Sequence, residues 1–131
     1  MTNTHDTKGS VLLVDDDKFL ADVYSMKFSR AGYTVHACLS VKDALSVLEK
    51  GFEPDAVVLD IVMREQDGFV FLDAIQKKGL CKKAALIALT NQDSALERGK
   101  AEQMGCCQYI IKGSTVPSEL VELVGKEIAK R

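Results

Sequence analysis

Apolar residues along this chain gather in short unbroken runs, and between the runs they recur at helical spacing. Ala56-Val57-Val58-Leu59 leads straight into Asp60. Val11-Leu12-Leu13-Val14 stops at Asp15 and Asp16, Leu86-Ile87-Ala88-Leu89 stops at Thr90, and Tyr109-Ile110-Ile111 stops at Lys112. A run of that length reads as a strand covered on both faces, as in the middle of a parallel sheet. These four runs predict strands over 11–14, 56–59, 84–89 and 108–111. A fifth segment, 33–38, alternates Tyr33, Val35 and Ala37 with Thr34 and His36, which suits an edge strand with one wet face.

The stretches between strands predict five helices. The first covers 18–31, with Leu20, Val23, Tyr24, Met26 and Phe28 as its apolar positions and Gly32 as its stop. The second follows Ser40, a natural cap, and carries Val41, Ala44, Leu45 and Leu48 before Gly51. Asp67 caps the third, which shows Phe69, Leu72 and Ile75 ahead of Gly79. The fourth, over 92–104, is the least apolar and contains Gly99, which costs about 1 kcal/mol relative to Ala. The fifth starts near Pro117, a residue suited to a first turn, and buries Leu120, Val124 and Ile128.

Strand and helix alternating through short connections imply right-handed crossovers and a doubly wound parallel α/β sheet of five strands with helices on both faces. The most continuous apolar runs belong in the centre and the others at the edges. The order 2-1-3-4-5 satisfies this, with its switch point between strands 1 and 3. If the strands are parallel, Asp15, Asp16, Asp60, Thr90 and Lys112 meet on one rim, the carboxyl end where open α/β sheets bind ligands.

Length and composition narrow the field. A chain of 131 residues suits one domain, expected over 10–131, and can bury enough surface to fold without staples. Residues 1–9 are polar, lack the apolar stretch of a secretory signal, and are expected to form a mobile tail. The net charge of −2 is spread without a basic stripe, so direct nucleic-acid binding has no electrostatic support. No apolar run is long enough to cross a membrane. Cys38, Cys81, Cys106 and Cys107 form no CxxC pair and lie at no metal-ligand spacing from a histidine, so they read as reduced thiols of a cytoplasmic protein. His5, in the tail, and His36 have no partner at recognisable spacing.

Three carboxylates at one rim need a compensating cation. All-oxygen donors that leave room for water suit Mg²⁺. Lys112 adds a fixed positive charge and Thr90 a hydroxyl. Together these groups would neutralise the oxygens of a phosphoryl group in transfer, and a carboxylate can itself be the nucleophile, giving an acyl phosphate. Singly, each residue has a bland reading: an Asp after a strand is often a helix cap, and a Thr or Lys there a turn residue. Their coincidence at successive strand ends points to Mg²⁺-dependent phosphorylation of an aspartate.

The acidic pair in VLLVDDD, the segment AVVLDIVMREQDG, and the motifs LIALT and QYIIK resemble the receiver domains of two-component response regulators. The separations between Asp16, Asp60, Thr90 and Lys112 match that family, and the similarity spans residues 9–130. The resemblance implies a flavodoxin-like fold with the same strand order. It also implies Asp60 as phosphoacceptor, and Asp16, Asp60 and the backbone carbonyl of Val62 as Mg²⁺ ligands, with Asp15 acting through water. Thr90 then falls on the switch hydroxyl, Lys112 on the family's cation and Tyr109 on its aromatic switch position, although Tyr109 also suits plain core. Asp17 lies outside the matching pair and reads as a cap for the first helix. The implied function is a phosphorylation-controlled signalling switch and not an enzyme. A histidine kinase, or a histidine phosphotransfer protein of a phosphorelay, is the donor. A downstream output protein or domain reads the helix 4–strand 5–helix 5 face. A dimer formed on phosphorylation is compatible with this scheme.

Three positions depart from the family. Arg64 stands where proline is usual and is expected to loosen its loop or tune partner choice. Asn91 is larger than the usual residue after the switch hydroxyl and could restrict access to it. Gly113 replaces a common cis proline, so the Lys112–Gly113 bond is expected to be trans, with glycine absorbing the altered backbone angles. Two other readings compete. Asp15 and Asp17 form a DxD pattern like that of haloacid-dehalogenase-type phosphatases, with Asp15 as nucleophile and Asp17 as acid; that family needs an acidic pair after the lysine, and no Asp follows Lys112. A flavin-binding module is disfavoured by the acidic first loop.

Overall fold

The protein is described by a computed structural model over residues 8–131. Its elements are β1 (Ser10–Val14), α1 (Lys18–Arg30), β2 (Thr34–Cys38), α2 (Val41–Glu49), β3 (Ala56–Asp60), α3 (Gly68–Lys78), β4 (Ala85–Thr90), α4 (Ala95–Gln103), β5 (Cys106–Ile111) and α5 (Pro117–Ala129). The five strands form one parallel sheet in the order β2-β1-β3-β4-β5. This is the fold expected from the apolar runs.

Period-two alternation divides the strands between two cores. Leu12, Val14, Val57, Leu59 and Ala88 face Ala44, Phe71 and Ala101 of α2, α3 and α4. Val11, Leu13, Val58, Ile87 and Leu89 face Phe28 of α1 and Leu120 and Val124 of α5. Both faces of β1 and β3 are therefore sealed, which is why their sequences show no alternation. Such side chains contribute about 1.5–3 kcal/mol each by leaving water, and this rigid centre fixes the strand ends that carry the polar residues.

Side-chain caps set the helix starts. Asp17 accepts from the Leu20 N–H at 3.2 Å, Ser40 from Asp43 at 3.1 Å, Asp67 from Val70 at 3.1 Å and Ser94 from Glu97 at 3.2 Å. The last of these corrects the fourth helix: it begins at Ala95, not 92, because Ser94 supplies the cap and Gln92 and Asp93 stay in the preceding turn. The fifth strand begins at Cys106, two residues earlier than expected. Cys106 pairs with Leu86, but Ile87 pairs with Gln108, so Cys107 is a surplus residue, a bulge. A mixed, cysteine-rich start hid this portion of β5 from the apolar pattern.

Most of the segment expected to be a mobile tail, with His5, lies outside the described residues. Its last two residues are tied down: the Lys8 N–H donates to Gly32 at 2.8 Å, and the Gly9 carbonyl accepts from Thr34 at 2.9 Å. The four cysteines are free, and burial pushes the Cys38 and Cys106 thiols up to about 11 and about 12. His36 packs against Phe52, ring centroids 4.9 Å apart. Among the described residues no helix is long and apolar enough to cross a membrane.

Candidate functional site

The carboxyl ends of β1, β3, β4 and β5 bring the sequence-predicted residues together, since parallel pairing aligns Val14 with Leu59, Asp60 with Leu89 and Thr90 with Ile111. Asp15 and Asp60 are buried, at 0% and 3% exposure. Lys112 bridges them: its ammonium donates to Asp15 Oδ2 at 2.9 Å and to Asp60 Oδ2 at 3.1 Å. The remaining oxygens accept backbone N–H groups, Asp15 Oδ1 from Asp17 at 2.9 Å and Asp60 Oδ1 from Val62 at 3.2 Å. Asp16 joins them. Oxygens of Asp15, Asp16 and Asp60 all lie within 4.8 Å of one another, the one group of this kind among the described residues.

Electrostatics follow from that crowding. Burial, with Asp15 adding to it, raises the Asp60 carboxyl from 3.8 to about 6 against the opposing pull of Lys112. Burial also works against the charge on Lys112, but its bonds to Asp15 and the charge on Asp60 outweigh it and raise the ammonium above its ordinary 10.5. The donor set is entirely oxygen, holds more negative charge than one lysine neutralises, and fits a hard divalent cation such as Mg²⁺. Val62, whose carbonyl was expected to contribute, lies in the adjoining loop and is 56% exposed. Asp15 is more than a remote partner: one oxygen holds Lys112 in place.

Glycine is needed at one place beside Asp60. Gly68 opens α3, and its N–H donates to the Ile61 carbonyl at 2.7 Å. A Cβ there would stand 2.7 Å from the Asp60 carbonyl oxygen and 3.0 Å from Ile61 Cα. Close approach of helix to strand end, and not an unusual φ, is what the DG of the sequence encodes.

Several expectations are revised. Arg64 does not loosen its loop. Its backbone N–H donates to Asp16 Oδ2 at 2.8 Å, its Nε to the same oxygen at 3.3 Å, and Nη2 to the Asp16 carbonyl at 3.3 Å. It therefore fastens the β3–α3 loop over the acidic pair. The Lys112–Gly113 bond is trans, but Gly113 absorbs nothing: it sits in a 3₁₀ turn over Lys112–Ser114 without a positive φ, in open space. Asn91 is exposed. Asp17 caps α1, so the residue that the phosphatase reading needs as its acid is spent on the helix start.

Thr90 and Tyr109 meet on a residue the sequence did not single out. The buried Thr90 hydroxyl donates to Glu97 Oε1 at 3.0 Å, with the Gln92 carbonyl at 3.2 Å as a second acceptor. The Tyr109 hydroxyl, on a ring only 8% exposed, donates to the same Oε1 at 2.9 Å. Burial first, and then Glu97, raises the Tyr109 phenol. Arg98 lies 4.6 Å from the Tyr109 ring centroid. The Ser94–Glu97 spacing resembles a capping box, a readable signal, but one that would aim Glu97 back at the Ser94 N–H. Instead its carboxylate turns toward β4 and β5.

An acidic, lysine-bridged rim on a doubly wound sheet defines a class, and comparison with known proteins agrees. The family model described as the response regulator receiver domain matches residues 11–125, and the chain belongs to that family. A CheY-like receiver domain protein from Methanospirillum hungatei is 30% identical, with a TM-score of 0.80 and 94% of this chain and 96% of that one covered. A putative response regulator from Chloroflexus aurantiacus is 29% identical, with a TM-score of 0.81 and coverage of 94% and 98%. The chemotaxis protein CheY4 of Vibrio cholerae, at 24% identity, shares the fold with a TM-score of 0.82 over 89% and 96% of the two chains.

Proposed function

We propose that residues 10–131 form a receiver unit in which Asp60 accepts a phosphoryl group. The observation that carries this is the Lys112 ammonium bridging buried Asp15 and Asp60 beside Asp16. The donor is a phosphohistidine on a kinase or phosphotransfer protein. An Asp60 carboxylate oxygen attacks phosphorus, a P–O bond forms, the P–N bond breaks, and the imidazole leaves with its electron pair. Lys112 fixes the orientation of Asp60 and balances charge on the incoming oxygens. Asp15 orients Lys112, Asp16 and Asp60 would hold Mg²⁺ with the Val62 carbonyl, and buried walls exclude water. A bound dication supplies the positive charge that keeps the carboxylates ionised and offsets the phosphoryl charge.

Once modified, Asp60 carries about −1.5 to −2 on its phosphoryl oxygens in place of the single carboxylate charge, and these oxygens attract Lys112 and the Thr90 hydroxyl. Movement of Thr90 is felt by Tyr109 and α4, so the α4–β5–α5 face carries the signal to an output protein or domain. The polar α4, with Ala101 as its buried residue, suits an element of low local stability. Kinase-fed signalling of this kind belongs in the cytoplasm, and phosphorylation-dependent dimerisation through the same face is compatible with it.

The test is phosphorylation by a small acyl phosphate in Mg²⁺, with the modified residue mapped by mass spectrometry. Wild-type protein should gain one phosphoryl group at Asp60, and Asp60→Asn should gain none. Modification of Asp60→Asn at the wild-type rate, or mapping to Asp15, would overturn the reading.

A further inference from the structure

Glu97 Oε1 receives two hydroxyl protons, from Thr90 at 3.0 Å and Tyr109 at 2.9 Å, and those are the two residues proposed above to relay modification of Asp60. Thr90 is fully buried, so water does not compete freely for its hydroxyl. A hydroxyl has one proton, so Thr90 cannot donate fully to Glu97 and to a phosphoryl oxygen together. Glu97 occupies the first turn of α4, where Ser94 Oγ receives its N–H, and its neighbour Arg98 lies over the Tyr109 ring while pairing with Asp93 at 2.9 Å. Movement of Thr90 therefore cuts one of the bonds that fasten this turn to the sheet.

We propose that Glu97 is a positioning residue for the Asp60 site: its carboxylate holds the Thr90 hydroxyl toward α4, and a phosphoryl group at Asp60 must draw that hydroxyl away, loosening the first turn of α4. Glu97 touches neither Asp60 nor the carboxylates around it. It acts only through Thr90, setting how much of the phosphoryl group's stabilisation is consumed in breaking an existing bond. Hydrogen bonds to ionised acceptors are stronger than neutral ones, so the competitor is a substantial one.

This inference rests on Asp60 being the acceptor, and the experiment separates the two. Beryllofluoride with Mg²⁺ serves as a stable phosphoryl mimic, and its affinity is measured by NMR titration for wild type, Asp60→Asn, Glu97→Ala, Glu97→Gln, Thr90→Ala and the Thr90→Ala/Glu97→Ala double variant. Wild type should bind and Asp60→Asn should not; if wild type fails to bind, the acceptor reading itself falls. Glu97→Ala should bind on the order of fivefold more tightly, the equivalent of one freed hydrogen bond. Glu97→Gln keeps a neutral acceptor and should lie between the two. In the Thr90→Ala background the Glu97→Ala gain should vanish, whereas a general charge effect would persist. Unchanged or weaker binding by both Glu97 variants, or an equal gain without Thr90, would overturn the role of Glu97 while leaving Asp60 as the acceptor.

Discussion

Asp60 is expected to oppose folding when it is ionised and no metal is bound. Its carboxyl titrates at about 6 in the folded chain against an ordinary 3.8, because burial and Asp15 outweigh Lys112. Between those pH values the folded state holds more protons than the unfolded one, so stability falls as pH rises through this window. Above it the full cost applies, about 3 kcal/mol at 1.36 kcal/mol per pKa unit. Asp60→Asn resembles the protonated acid and removes the titration, although its amide holds Lys112 less well than a carboxyl would. The variant should therefore be more stable than wild type by about 1–3 kcal/mol near pH 7.5 in chelator, with the gap falling by about 2 kcal/mol on going to pH 4.5. In heat denaturation this corresponds to roughly 3–4 °C per kcal/mol. Urea denaturation followed by far-UV circular dichroism, at both pH values, measures it. Added Mg²⁺ should raise wild type toward the variant, because an ion that binds the folded state alone stabilises it. A variant less stable than wild type at pH 7.5, or a gap indifferent to pH, would refute the electrostatic account.

Further expectations follow from the loop and the glycines. Arg64→Ala should tighten Mg²⁺ binding, read by calorimetry, by no more than about fivefold, since the Arg64–Asp16 pair is exposed and such pairs are worth under about 1 kcal/mol; weaker binding would mean that Arg64 helps to build the site. Gly68→Ala should cost about 1–3 kcal/mol by overpacking against the Asp60 carbonyl. Gly113→Ala, placed in open space, should change stability by under about 0.5 kcal/mol in the same denaturation assay. A large loss there would restore the backbone role first expected of that glycine.

The architecture was legible because β1, β3 and β4 are unbroken apolar runs, and only a sheet covered on both sides explains such runs. Much of the site was legible for a related reason: each polar residue stands at the point where a run stops, and parallel pairing carries all those points to one rim. What escaped depends on side-chain direction. Nothing in the sequence tells whether Arg64 reaches solvent or folds back on Asp16, nor whether Glu97 closes a capping box or turns to Thr90 and Tyr109. The start of α4 was missed because Gln92 and Asp93 are as acceptable in a helix as in a turn. Gly113 misled because a residue capable of unusual angles need not adopt them.

The surplus residue in β5 has a consequence for which side chain can report on the sheet's rim. In a regular strand, positions three apart point to opposite layers, yet Cys106 and Tyr109 both belong to the core shared with α3 and α4, while Ile110 packs toward α1 and α5. Cys107 resets the parity. With that single residue deleted, the Leu86–Cys106 and Ile87–Gln108 pairs would become consecutive, the ladder would turn regular, and Cys106 and Tyr109, then two apart, would keep to the same layer. Any chimera that transplants this strand can therefore lose the bulged cysteine, but it has to preserve the count of residues from Tyr109 to Lys112, which ties the tyrosine's layer to the lysine's place at the rim.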